Sequence, residues 1–194
     1  MFKKTAIAAA LSATALVGVS QAQAADYAID IDGQHAFVQF KISHLGFSYL
    51  LGSFEKFDGS FQYDPENLED AGAQLEVQVD SLNSNHAERD KHILSDDFLD
   101  AGEYPTATFE STGFEPTGEG EGVLTGELTL HGETNQVEMP VTLLGEGEDP
   151  WGNYRAGFEG STTLELADYG IDMSAFPEAM HELELYVTFE GIRQ

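Results

Sequence analysis

From Tyr27 onward, apolar and polar residues alternate over most of the chain, the period-two signature of strands with one buried face. In Ala36 to Ser43, Val38, Phe40 and Ile42 fall on one face and Gln39, Lys41 and Ser43 on the other. Gly72 to Asp80 repeats this, with Leu75, Val77 and Val79 opposite Gln74, Glu76 and Gln78. Further alternating segments run over Ser53 to Tyr63, Thr106 to Phe114, Gly122 to His131, Val137 to Glu146, Arg155 to Leu166 and Glu182 to Glu190. With a short opening strand near Tyr27 to Ile31, the pattern predicts eight or nine strands. One segment departs from it. Asn85 to Asp100, NHAERDKHILSDDFLD, reads as helix, with Asn85 as cap and Glu88 completing a capping box ahead of Ile93 and Leu94.

Short turn signals separate the strands: Asp58-Gly59, Asp64-Pro65-Glu66-Asn67, Gly118 to Gly122, His131-Gly132-Glu133-Thr134 and Asp149-Pro150-Trp151-Gly152. Connections this short join antiparallel neighbours. Long strands with one polar face and a single helical insertion predict an all-β protein, either a closed up-and-down barrel or a sandwich. Closure would remove exposed sheet edges. An eight-stranded antiparallel barrel can be filled by its own side chains or can hold one small ligand, and the 13 Phe, 7 Tyr and one Trp could serve either purpose.

The N-terminus changes the picture of where the chain works. Lys3 and Lys4 precede an uncharged run from Thr5 to Val19, which leads to the A-x-A pattern Ala22-Gln23-Ala24. Residues 1–24 are therefore expected to be a cleaved signal peptide, and residues 25–194 one domain, placed in a bacterial periplasm. The apolar run falls short of the ~20 residues that a membrane-spanning helix needs, and no other stretch approaches that length. There is no cysteine, which excludes a disulfide framework, a thiol nucleophile and a Cys-ligated metal. A formal charge of −27, from 35 acidic against 8 basic residues, repels phosphate backbones, so no nucleic-acid partner is expected.

The chemistry-bearing residues carry modest signals. Asn85 to Asp100 holds two histidines and five carboxylates. His86 with Asp90, and Glu88 with His92, stand four apart on a helix and could meet. Zinc spacings such as H-E-x-x-H are absent, and capping with surface pairing accounts for the same residues. No G-x-S-x-G occurs, the Gly118 to Gly122 run lacks the Lys and helix of a phosphate loop, and Asp30-Ile31-Asp32-Gly33 is an incomplete calcium loop. His35, His44, His131 and His181 sit at strand ends or turns.

Several long motifs stand in one order: YAID and GQHAFVQFKISHLGFSYLLGSFEKFDGSF, then HAERDKHILSDDFLDAGEYPTATFEST, then GELTLHGETNQVEMPVTLLGEGEDPWGNYRAGFEG. In these the chain resembles the YceI-like family of exported isoprenoid-binding barrels over essentially its whole length after the leader. The resemblance implies an extended eight-stranded antiparallel β-barrel, lipocalin-like, with one or two short helices. It also implies an apolar pore for a polyisoprenoid or other long amphiphile, homodimers in many members, no established enzymatic activity and no cofactor. Ile93-Leu94 stands where many members have Leu-Arg, and Leu166-Ala167-Asp168-Tyr169-Gly170 where many have Arg-Ser-Asp-Phe-Gly. Losing two basic residues favours a neutral headgroup, such as a quinone, over a phosphate.

Aromatic size, strand parity and nearness to these motifs select the expected ligand-lining residues: Phe40, Ile42, Leu45, Phe47, Tyr49, Phe54, Phe57, Phe98, Phe109, Trp151 and Phe158. The leading expectation is a carrier for an isoprenoid or fatty amphiphile, with no catalytic residues and no metal. The alternatives are a metal-dependent enzyme using His86, Glu88, Asp90 and His92, and a stress-related structural protein with a filled barrel.

Overall fold

The computed structural model describes residues 24–194; apart from Ala24, the expected signal peptide lies outside the described residues. Among the described residues, eleven strands and one α-helix follow in chain order. They are β1 (Ala25–Ile29), β2 (Ala36–His44), β3 (Ser48–Phe54), β4 (Phe57–Tyr63), β5 (Gly72–Gln78), β6 (Leu82–Asn83), α1 (Ala87–Ile93), β7 (Thr106–Gly118), β8 (Glu121–Leu130), β9 (Glu133–Glu148), β10 (Tyr154–Glu165) and β11 (Glu182–Arg193).

These strands occupy eight positions around one closed antiparallel barrel. β11 pairs with β1 through Gly191 to Arg193, and with β2 through Leu183 to Phe189. β1 and β2 thus succeed each other in one position, broken at residues 30–35. β3 and β4 share the next position, because β3 pairs with β2 and β4 with β1. β5 and β6 share the third, facing β4 and β3 respectively. β7, β8, β9 and β10 follow in sequence, and β10 returns to β11. The eight-stranded, lipocalin-like expectation therefore holds by position, while three positions are interrupted. The segment Ser53 to Tyr63, expected as one strand, is split at Glu55-Lys56, where Ser81 Oγ accepts the backbone N–H of both residues at 3.1 and 3.0 Å.

The helix is shorter than the sequence suggests and starts on a different cap. His86, in extended backbone, is the N-cap: its Nδ1 accepts the Arg89 N–H at 3.2 Å. Asn85 instead sits at a φ of 63°, and Glu88 makes no capping-box bond. After Ile93 the chain continues as turns to Asp100.

The two ends of the barrel are closed differently. At one end Tyr27, Phe61, Tyr63 and Phe158 interlock, with Tyr27 stacked on Phe61 at 4.8 Å and Phe158 edge-on to Phe61 and Tyr63 at 5.4 and 5.1 Å. Desolvation there pushes the Tyr63 hydroxyl up to about 12. Beside this plug, Arg155 ties three elements together. Its Nε donates to Asp149 Oδ2 at 2.7 Å in the β9–β10 turn, and its Nη1 donates to Asp30 Oδ2 at 2.6 Å and to Glu190 Oε2 at 3.2 Å. The other end is roofed by Phe98 and Leu99 from the turn after α1, and by Ile171, Met173, Phe176 and Met180 from the β10–β11 connection.

The Arg155 hydrogen bond holds the Asp30 carboxyl down to about 2, and the same guanidinium holds Asp149 well below the usual carboxylate range. Both native pKa values are depressed, so their contribution to stability is full above about pH 5 and falls on acidification, that of Asp30 being lost by about pH 2 and that of Asp149 only below it. Chemical denaturation across this range is expected to show that loss in the wild type. An Arg155→Met variant should be less stable near neutral pH and should lose less on acidification; equal acid sensitivity in both would contradict this role.

Tyr169, buried beneath the roof, has a hydroxyl with no hydrogen-bond partner among the described residues, and burial pushes its pKa up to about 12. Tyr169→Phe keeps the ring and removes the orphan group, so stability should be unchanged or rise by about 1 kcal/mol. A clear loss in a denaturation midpoint would show that the hydroxyl has a partner.

Candidate functional site: an apolar barrel cavity

Strand parity sends every second side chain of the wall inward, and above the aromatic plug those side chains leave a cavity of about 430 Å³. This lies within the range of ~300–1,000 Å³ typical of ligand sites. Leu183, Leu185 and Val187 of β11, Val137, Met139 and Val141 of β9, Leu124 and Leu128 of β8 and Leu75 and Val77 of β5 all face the cavity. The lumen survives because rings lie flat against it. A Cβ on Gly52 would fall 2.3 Å from Phe40 Cζ, and one on Gly126 would fall 2.4 Å from Phe109 Cζ. Each ring therefore occupies the space above a cross-strand glycine instead of projecting into the cavity.

Of the eleven residues selected from the sequence, Phe40, Ile42, Leu45, Phe54, Phe98, Phe109 and Phe158 are on the cavity wall. The other four are not. Phe57 packs beside the wall among Leu75, Val77 and the plug. Tyr49 lies on the outward parity of β3, since Leu50 and Phe54 of that strand face the lumen, and it is 65% exposed. Phe47, at the β2–β3 turn, is 88% exposed, and Trp151, in the β9–β10 turn, is 80% exposed. For these three, aromatic size misled where parity or a turn position decided.

Sequence reasoning missed the aliphatic majority of the wall, although inward parity on β8, β9 and β11 marks those residues. It also missed Arg89, which reaches the wall near His44 and His92. Arg89 is held by Ser84: its Nε donates to Ser84 Oγ at 2.7 Å, and its guanidinium also donates to the Ser84 carbonyl. Asp90 accepts the Ser84 N–H at 2.9 Å together with the Ser84 hydroxyl, which pins α1 to the end of β6.

The four side chains of the supposed metal cluster do not converge. His86 caps α1, Asp90 binds Ser84, and His92 pairs with Asp97 at 3.2 Å while lying edge-on to Phe98 at 5.0 Å. Among the described residues, the acidic and histidine atoms that do cluster tightly are those of Asp30, His35 and Glu190. There the Arg155 guanidinium already supplies the positive charge, and His35 Nδ1 lies 3.1 Å from Asp30 Oδ2. What the cavity can do chemically is shelter an apolar chain: burial of each methylene contributes about 0.8 kcal/mol.

Residues 29–191 match the family model described as YceI-like domain. The UPF0312 protein of Azotobacter vinelandii is 53% identical over 194 residues, covering 100% of both chains. Among solved structures, BcnA of Burkholderia cenocepacia superimposes with a TM-score of 0.74 at 22% identity, over 84% of this chain and 98% of that one. A domain from Saccharophagus degradans, described as polyisoprenoid binding, gives 0.67 at 15% identity, over 89% and 100%. The structural likenesses support the eight-position barrel, and the family match with the full-length relative shows that the chain belongs to the YceI-like family.

Proposed function

We propose that this chain is an exported carrier or store that holds a long-chain amphiphile, an isoprenoid, inside its barrel. The observation that carries the reading is the lumen itself, closed by an aromatic plug at one end and walled by inward aliphatic side chains. An isoprenoid tail asks for such a site, because it offers methyl and methylene groups and almost no polar atoms. The description of the Saccharophagus degradans domain as polyisoprenoid binding points the same way.

A periplasmic location belongs to this reading and rests on the N-terminal run that ends in Ala22-Gln23-Ala24. A neutral, quinone-type headgroup fits the leucines at positions 94 and 166 and the engagement of the wall residue Arg89 by Ser84. Binding without catalysis is supported by the separate structural tasks of His86, Asp90 and His92.

Phe40→Asp and Phe109→Asp each place a charge on the lumen wall. Lipid extraction from these variants should recover no long-chain amphiphile, while a cooperative thermal transition persists. Recovery equal to the wild type would take these residues out of the site. Gly52→Ala should push the Phe40 ring into the lumen. In a competition titration with a homologous series of isoprenoids, the longest chains should lose most affinity, and an unchanged length profile would contradict the packing described.

A further inference from the structure

We propose that the β2–β3 hairpin is a membrane-docking surface, one that sets the mouth of the cavity against a bilayer of neutral headgroups. The proposal rests on the reading of the cavity as an amphiphile site and adds the route by which that site exchanges with membrane.

The hairpin turns at Leu45 and Gly46, with φ of 54° and 77°, and closes where the Phe47 N–H donates to the His44 carbonyl at 2.9 Å. Phe47 stands at this turn, and Tyr49 and Leu51 project from the outward face of β3, Leu51 also being 65% exposed. Leu45, at the same turn, is at once 44% exposed and part of the cavity wall. An apolar patch on the surface therefore runs continuously into the lumen. Surface patches of this kind mark interaction sites, and aromatic and leucine side chains around a lysine suit a membrane interface.

Charge identifies the partner. Acidic residues average about one in every five or six along the chain, yet residues 33–54 contain none. Lys41 lies on the same outward face, with its Nζ 4.8 Å from the Tyr49 ring centroid. The face is bordered by Glu184, which pairs with Lys41, and by Glu182. A bilayer of zwitterionic lipid meets this patch without the repulsion that the formal charge of −27 imposes on an anionic surface. A second copy of the chain fits less well. It brings the same charge, and the four apolar side chains offer on the order of 500 Å², below the ~800 Å² per partner of a stable interface. A long-chain amphiphile has a vanishing concentration in free water, so a carrier whose mouth touches the bilayer can exchange it directly.

Flotation with phosphatidylcholine vesicles tests the surface, using the chain as its host matures it. Wild type should float, and Phe47→Ser combined with Leu51→Ser should lower the bound fraction at fixed lipid at least tenfold. Trp151→Ser, at the opposite end of the barrel, should change nothing. Replacing part of the phosphatidylcholine by phosphatidylglycerol should weaken wild-type binding, and added salt should restore it. If the double variant does not fold, the single Phe47→Ser variant, whose ring is almost wholly exposed, decides the matter. Equal flotation of wild type and variant, or no flotation of either, overturns the proposal. So does a variant that only converts a sedimenting dimer to monomer, which would make the face a contact between copies. Wild-type flotation with no amphiphile in the purified protein would instead overturn the cavity reading and leave the surface standing.

Discussion

Everything in this barrel depends on how β11 closes it. One edge of β11 pairs with β1 near its C-terminal end and with β2 along the rest, so two short strands complete one ring position. Closure leaves the inward side chains of eight positions facing one another across a lumen, and an interior of this size is filled or holds a ligand according to what projects into it. Here Tyr27, Phe61 and Phe158 interlock at one end, Phe98 and Phe176 belong to the roof at the other, and on the wall between them Phe40 and Phe109 lie over Gly52 and Gly126. The distribution of aromatic volume, and not its amount, opens the cavity.

The two ends then divide the work. At the plugged end, apolar stacking is reinforced by a guanidinium held among Asp30, Asp149 and Glu190, which joins the break between β1 and β2 to the β9–β10 turn and to β11. A strand interruption that would otherwise leave a weak seam is bound at that point. At the roofed end, the covering segments are a short helix, turns and a long connection, all anchored by side-chain bonds such as Arg89 and Asp90 to Ser84. Segments with few paired strands open at lower free energy than sheet, so the roofed end is the weaker of the two closures.

Period-two alternation made most of the sheet legible, because β2, β5, β8 and β11 each bury one face only. The breaks were not legible. Between β3 and β4 the alternation of side chains hardly changes, and the bend is imposed by a tertiary contact, Ser81 Oγ accepting from Glu55 and Lys56. β3 is missing from the alternating segments because Tyr49 and Leu51 put apolar groups on its outward side, against the rule that outward residues are polar. The helix was read too long because carboxylates after Ile93 fit both a helix face and a run of turns. Within the site, the sequence gives parity but no depth. That is why Phe40 and Phe109 fall on the cavity wall, Trp151 and Tyr49 fall outside it, and the wall residues Leu183 and Met139 were not singled out.

The central claim is that the lumen is a binding site for one long apolar chain and not simply an imperfectly packed core. Native mass spectrometry of the protein, purified without detergent from the cells that make it, tests this most directly. The account predicts a species heavier than the bare chain by one amphiphile of several hundred daltons, released on denaturation and extractable as a lipid. A protein that carries only its own mass, and takes up no isoprenoid when offered one, would contradict it.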